Sequence, residues 1–363
     1  MKICYDHQIF LIQKYGGISR YFAELAKNMV LQNNEVNILA PIYTNSYLHN
    51  LEVEKLKIHG LFCNEIPKGK RYLMRFNELY GSLYMKNHAY DVFHETYYSA
   101  QKIAPKNQAV CITVYDMIHE KFPAFFVDSA NVTAIKKHAI ERADKVIAIS
   151  HQTKKDLVEI FNIDDKKIDV IHLGQSQSIV SLDKTKVDKD YVLYVGDRGT
   201  YKNFERVLEV FHTSSKLKND FALIFFGGGK LSEREKQLIA TYHLEDAVKQ
   251  VVGDDRNLMS LYRNATCFVY PSLYEGFGLP PLEAMANLCA CAVSNTSSIP
   301  EVCGDAAVYF DPYSVEDMKL AIESICYDSS LRNSLIERGT DQLKKFSWEK
   351  CAMETLATYE RML

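Results

Sequence analysis

What most constrains the fold of this chain is the regular alternation of short apolar runs with amphipathic stretches, which continues almost from end to end. Residues 2–5, 36–40, 91–94, 109–114, 145–149 and 169–172 read as buried strands, and residues 191–195, 222–226, 248–252, 266–270 and 289–293 repeat the theme. Between them lie helical patterns. Residues 18–30 place Tyr21, Phe22, Leu25, Met29 and Val30 on one face, and residues 151–161 follow Ser150, which suits an N-cap. Strands that alternate with helices imply parallel sheets with right-handed crossovers, hence doubly wound α/β domains. The pattern lapses once, over residues 173–190, and a 363-residue chain is long enough for two domains joined there. From residue 315 to the end it is helical, with a last segment starting near Ser347.

Composition excludes several classes. Lys plus Arg is 43 and Asp plus Glu is 46, a balance of −3, which disfavours a dedicated nucleic-acid binder. The first 180 residues carry 22 basic and 19 acidic side chains, so the first half is the more basic one. No apolar run reaches the ~20 residues that span a bilayer, and the start of the chain does not read as a signal peptide. Nine scattered cysteines without a Cys-x-x-Cys read as reduced, buried thiols in a cytoplasmic protein.

In such folds ligands gather at the carboxyl ends of the strands, so the segments that follow strands matter most. Gly16 and Gly17 open the first long helix, where backbone amides can approach an anion; a plain loop explains them equally well. Arg198 and Lys202 follow the first strand of the second half, four residues apart, and both can reach one diphosphate. Glu275 stands in Glu275-Gly276-Phe277-Gly278-Leu279-Pro280-Pro281, just before a helix start whose amides at Gly278 and Leu279 are free to point outward. A carboxylate there suits sugar hydroxyls. Glu283, taken alone, fits the dipole of a first helical turn.

These residues resemble the retaining glycosyltransferases of family 4, which have the GT-B fold. The resemblance rests on the Glu-x7-Glu pattern of Glu275 and Glu283 with Gly-Phe-Gly-Leu-Pro-Pro-Leu-Glu-Ala-Met-Ala around it. It extends to Gly16-Gly17, Asp91-Val92-Phe93-His94, Thr113-Val114-Tyr115-Asp116-Met117, Ile147-Ala148-Ile149-Ser150 and Arg198 with Lys202-Asn203. The opening from Gln13 to Phe22 is similar to that of bacterial enzymes that build O-antigen and capsule. The resemblance implies two Rossmann-like domains facing across a cleft: residues 1–175 on the acceptor side, a linker over 176–190, and a nucleotide-sugar-binding domain over 191–345. Residues 346–363 then form a helix that crosses back to the first domain. Arg198, Lys202 and Asn203 would hold the donor diphosphate, with Gly16 and Gly17 closing on it. Glu275 would meet the donor sugar, helped by Gly276, Phe277, Gly278 and Leu279, and Glu283 the ribose. Arg20 and His94 fall on the acceptor side.

Many relatives carry His-Asp after the strand that here ends Thr113-Val114. This chain has Tyr115 and Asp116, with His119 beyond, so Tyr115 or His119 takes the place of that histidine beside Asp116 and Glu275 in catalysis. No metal and no other cofactor is expected, since Asp188-Lys189-Asp190 precedes a strand and the glycines at 227–229 lack the rest of a phosphate-binding loop. The reading is a metal-independent enzyme that moves a sugar from a nucleotide donor, of GDP-mannose or UDP-sugar type, to a growing, lipid-linked cell-surface glycan with retention. A nucleotide-sugar epimerase and a binding subunit without strong catalysis are the alternatives. Residues 68–86 add Lys68, Lys70, Arg71, Arg75 and Lys86 against Glu78, with Tyr72, Leu73, Phe76, Leu79, Tyr80, Leu83 and Tyr84 at helical spacing. The plain reading of that stripe is core. Its basic residues, which core packing does not require, fit peripheral contact with the inner face of the cytoplasmic membrane.

Overall fold

Parallel strands covered on both faces have no solvent side, which is why their sequences are apolar throughout instead of alternating. The computed structural model describes residues 1–65, 69–175 and 189–363. It divides into one unit of Met1–Gly174 with Ser347–Leu363 and another of Gln175–Phe346. Most of the expected linker, with Lys68 and Asp188, lies outside the described residues.

The first unit holds a seven-stranded sheet of β1 (Lys2–Tyr5), β2 (Glu35–Tyr43), β3 (Leu56–Phe62), β4 (Val92–Glu95), β5 (Ala109–Val114), β6 (Lys145–Ala148) and β7 (Ile168–Val170). All pairs are parallel, in the order β3-β2-β1-β4-β5-β6-β7. The second holds β8 (Tyr191–Val195), β9 (Ala222–Phe226), β10 (Val248–Val251), β11 (Cys267–Tyr270), β12 (Cys291–Ser294) and β13 (Ala307–Phe310), in the order β10-β9-β8-β11-β12-β13. In each sheet the first strand sits between its successor and a later strand, so the winding reverses beside β1 and beside β8. Such reversals leave a crevice at the strand ends.

Two strands absent from the sequence reading, β3 and β13, are edge strands. With one neighbour each, β3 needs no continuous apolar run, and its burial alternates irregularly along Leu56–Phe62. The helices follow from capped amphipathic stretches. Ser150 accepts the Thr153 amide at 3.0 Å and opens His151–Phe161, and Ser347 accepts the Lys350 amide at 3.1 Å and opens Trp348–Glu360. The helical tail is broken by a second cap, Asp328, between Val315–Tyr327 and Ser329–Leu343. Eight of the nine cysteines are buried, Cys63 is half-buried, and all are free thiols.

The C-terminal helix Trp348–Glu360 is part of the first unit and packs on helix Gly17–Leu31. One buried polar chain fixes it. The Tyr359 hydroxyl lies 2.5 Å from His94 Nδ1, His94 Nε2 lies 2.9 Å from Thr113 Oγ1, and Thr113 Oγ1 lies 3.3 Å from the Tyr21 hydroxyl. His94 was expected on the acceptor side; it has no exposure at all and serves as a core link between β4, β5 and the last helix. The register explains it, because His94 pairs with Tyr5 inside the sheet instead of lying beyond a strand end.

Burial lowers the His94 pKa to about 3. The unfolded chain takes up a proton near pH 6.5 while the folded chain does not, so stability falls as pH drops below about 6.5. The His94 share should be about 1.4 kcal/mol per pH unit. Urea unfolding between pH 6.5 and 5, followed by emission of Trp348, the sole tryptophan, measures the slope. His94→Asn should remove that share; an unchanged slope would contradict the assignment.

Candidate active site

In the second unit the chain leaves β8 through Gly196, which has φ +124, and turns through a short helix, Thr200–Lys202, ending at Asn203. Lys202 thereby comes to the end of β11, where its ammonium lies 2.6 Å from Glu275 Oε1. Both side chains are nearly buried, and the ammonium also lies 5.1 Å from the Tyr201 ring centroid and 5.6 Å from that of Tyr270. The pair bridges the crevice between β8 and β11, where the sheet reverses. Burial, and then the Glu275 carboxylate beside it, push the Tyr270 hydroxyl well above its ordinary pKa.

The Glu275 loop is held by three residues after β12 that the sequence reading passed over. The Glu275 amide donates to Ser297 Oγ at 2.9 Å, Thr296 Oγ1 donates to the Leu273 carbonyl at 3.2 Å, and Ser298 Oγ lies 2.9 and 2.7 Å from the carbonyls of Glu275 and Phe277. Their signal was a run of small hydroxyl residues directly after a strand. Gly278 has φ +119, a conformation that favours glycine, and caps helix Leu279–Ala286. Pro280 and Pro281 bring no N–H, so the helix start presents the amides of Gly278 and Leu279, neither partnered among the described residues. Gly276 and Phe277 are buried in the same loop. Glu283 is the fifth helical residue, beyond the first turn, so the dipole does not account for it. It lies beside Tyr262, whose hydroxyl is raised well above its usual pKa by burial and then by the Glu283 carboxylate.

Two expected donor ligands have other work. Arg198 is nearly buried, with Nε 2.7 Å from Glu235 Oε1, Nη1 2.8 Å from the Gly227 carbonyl, and Nη2 3.0–3.1 Å from the carbonyls of Gly228, Gly229 and Lys230. Positive φ at Gly227, Gly228 and Gly229 wraps those carbonyls around the guanidinium. Glu235 closes a capping box with Ser232, and these contacts together keep its carboxyl below the usual range against the upward pull of burial. Arg198 therefore builds the turn after β9, with Nε, Nη1 and Nη2 all engaged by the protein. Asn203 is buried likewise, its amide donating to the carbonyls of Pro271 at 3.0 Å and Pro312 at 2.8 Å. It ties three loops together.

In the first unit Gly16 has extended backbone (φ 169) and caps helix Gly17–Leu31, with Arg20, half-buried, in the first turn. A side chain at Gly16 would run into Gln13, whose Oε1 accepts the Ser19 amide at 3.2 Å. The amides of Gly17 and Ile18 have no partner among the described residues. Tyr115 is buried and its hydroxyl donates to the Thr96 carbonyl at 2.9 Å, so its proton is not available to a substrate. Asp116 keeps 37% of its side chain exposed and accepts the Ile118 amide at 3.1 Å. His119, half-buried against Phe126, titrates below the usual histidine range through burial and then the Lys136 charge. At the reversal beside β1, Asp6 accepts from Thr96 and Gln8, a polar network right after a strand that went unread.

Arg198 and Glu235 form a nearly buried pair, so removing one partner strands the other. Arg198→Ala should cost about 3–5 kcal/mol of stability, and Arg198→Met with Glu235→Met should recover most of it. Calorimetry would separate this from a pure ligand role, in which Arg198→Ala melts like the unmutated protein.

Two family descriptions match the chain: Glycosyltransferase Family 4 over residues 15–175 and Glycosyl transferases group 1 over residues 181–342. An O-antigen chain mannosyltransferase B of Escherichia coli is 26% identical over 95% of this chain and 96% of its own length. Among solved structures, sucrose-phosphate synthase from Thermosynechococcus elongatus superposes with a TM-score of 0.78 at 19% identity, covering 99% of this chain and 98% of that one. Anabaena HepE in complex with UDP and glucose superposes with a TM-score of 0.74 at 16% identity, covering 99% of each chain. The two family matches account for nearly the whole chain, and it belongs to the family 4 glycosyltransferases with the GT-B fold.

Proposed function

We propose that this glycosyltransferase moves a hexose from a nucleotide-sugar donor to a growing, lipid-linked cell-surface glycan in the cytoplasm, with retention at the anomeric carbon and without a metal. GDP-mannose is the favoured donor, because the full-length relative is named an O-antigen mannosyltransferase; a UDP-sugar is the second choice, because the HepE structure holds UDP.

The observation that carries this reading is the Lys202–Glu275 pair at the reversal of the second sheet. Without donor, each neutralises the other. A donor diphosphate would take over Lys202 and release Glu275 to hydroxyls of the sugar, while the amides of Gly278 and Leu279 add hydrogen bonds. In the transfer the bond between the anomeric carbon and the phosphate oxygen breaks and its electron pair leaves with the nucleoside diphosphate. The acceptor oxygen bonds that carbon on the same face, and its proton passes to the departing phosphate. Lys202 stabilises the charge that develops on that phosphate, an interaction worth most in a poorly solvated site. Glu283 is assigned to the ribose, Gly16 and Gly17 to the diphosphate, and Asp116 and His119 to the reacting sugar.

Lys202→Ala should lower kcat/KM by about 2–5 kcal/mol in transition-state terms, with folding retained. Release of free nucleoside diphosphate that requires acceptor separates a transferase from an epimerase or a binding subunit, and near-normal release in Lys202→Ala would overturn the assignment. Since Lys202 supplies the positive charge, transfer should persist in excess EDTA. Loss of activity on chelation, restored by Mg or Mn, would contradict the mechanism. A thermal-shift series with GDP, UDP and their sugars would choose the donor.

A further inference from the structure

Helix Lys70–Asn87 is inside out. The side it turns to the sheet carries Asn77, Gly81 and Met85, the only buried residues on it. The opposite side carries Tyr72, Phe76, Leu79, Tyr80 and Leu83, all exposed, with Tyr72 at 75%, Leu79 at 69% and Leu83 at 62%. At 100° per residue these five fall within an arc of about 100°. The core reading of the stripe is thus overturned for these five, while Leu73 and Tyr84 are half-buried and Tyr84 packs against the core.

Its orientation is not arbitrary. The Asn77 amide donates to the Ile42 carbonyl at 2.8 Å and its oxygen accepts the Ile42 amide at 3.0 Å, a two-way clasp on the backbone of β2. Gly81 lies close against Ile103 and Leu39, where an added Cβ would come within 3.1 Å of Ile103 Cγ2. The apolar side therefore stays outward.

Charge says what covers it. Arg71, Arg75 and Lys86 are exposed along one flank of the stripe. The sole acidic residue of the helix, Glu78, is turned inward, half-buried, within 3.4 Å of Ser99 Oγ. Lys70 is held by the Ile12 carbonyl at 2.9 Å. An apolar stripe with tyrosines and a purely cationic exposed flank matches an anionic lipid surface, where the ring bodies enter the acyl boundary and the cations meet phosphates. We infer that the outward face of helix Lys70–Asn87 is a docking surface for an anionic membrane, which goes beyond the transfer reaction by stating where the enzyme works.

The test needs no donor or acceptor, so its failure is distinct from failure of the transferase reading. The full chain is sedimented with vesicles of phosphatidylglycerol and phosphatidylcholine, or of phosphatidylcholine alone. It should bind the anionic vesicles and release them at high salt. Arg71→Glu, Arg75→Glu and Lys86→Glu together should weaken partitioning about a hundredfold or more. Leu79→Ser with Leu83→Ser should weaken it without changing its salt dependence. All five positions are exposed, so both variants should melt like the unmutated protein. The inference is overturned if the unmutated protein ignores anionic vesicles, or if charge reversal leaves binding unchanged. It is overturned equally if light scattering finds a dimer that Leu79→Ser with Leu83→Ser dissolves, since a second copy would then cover the face.

Discussion

Both sheets are parallel and covered on both faces, and most else in this molecule follows from that. The strands have little solvent side, so apart from hydrogen-bonded exceptions such as His94 and Thr113 the polar side chains gather in the segments just beyond the strand ends. Lys202, Glu275 and the Thr296–Ser298 run all lie there in the second unit, as do Asp6, Thr96 and Asp116 in the first. Reversal of the winding beside β1 and β8 then separates neighbouring connections and leaves room for ligands.

Within those segments, poor solvation sorts similar residues into different work. Arg198 and Lys202 look alike as cations four apart. One is wrapped by four carbonyls and Glu235; the other meets a carboxylate at the sheet reversal. A guanidinium so enclosed has no ready exchange of partner, whereas an ammonium paired with a carboxylate can exchange it for a stronger anion. Tyr115 and His119 part in the same way. The buried phenol is committed to the Thr96 carbonyl, and the imidazole stays half-exposed.

Most strands were legible in the sequence because a fully buried strand is a continuous apolar run bounded by turns. The edge strand β3 was not, since one neighbour asks less of its composition. The glycine-rich loop and helix start around Glu275 were legible too, because Pro280, Pro281 and Gly278 have few places to go. His94 was misread as an acceptor-side residue, for the sequence does not show that its register with Tyr5 keeps it inside the sheet. Serines 297 and 298 were missed because their role is to support a loop more than twenty residues away in sequence.

The sequence by itself determined the doubly wound class, the family and the segments that carry chemistry, since hydrophobic period and turn residues act locally along the chain. Only the tertiary structure decided which of those residues hold the loops, because that depends on carbonyls and carboxylates brought in from other strands. It also decided which way helix Lys70–Asn87 faces. Spacing places Tyr72, Phe76, Leu79, Tyr80 and Leu83 on one side, but the Asn77 clasp on Ile42 and the close fit at Gly81 turn that side away from the core.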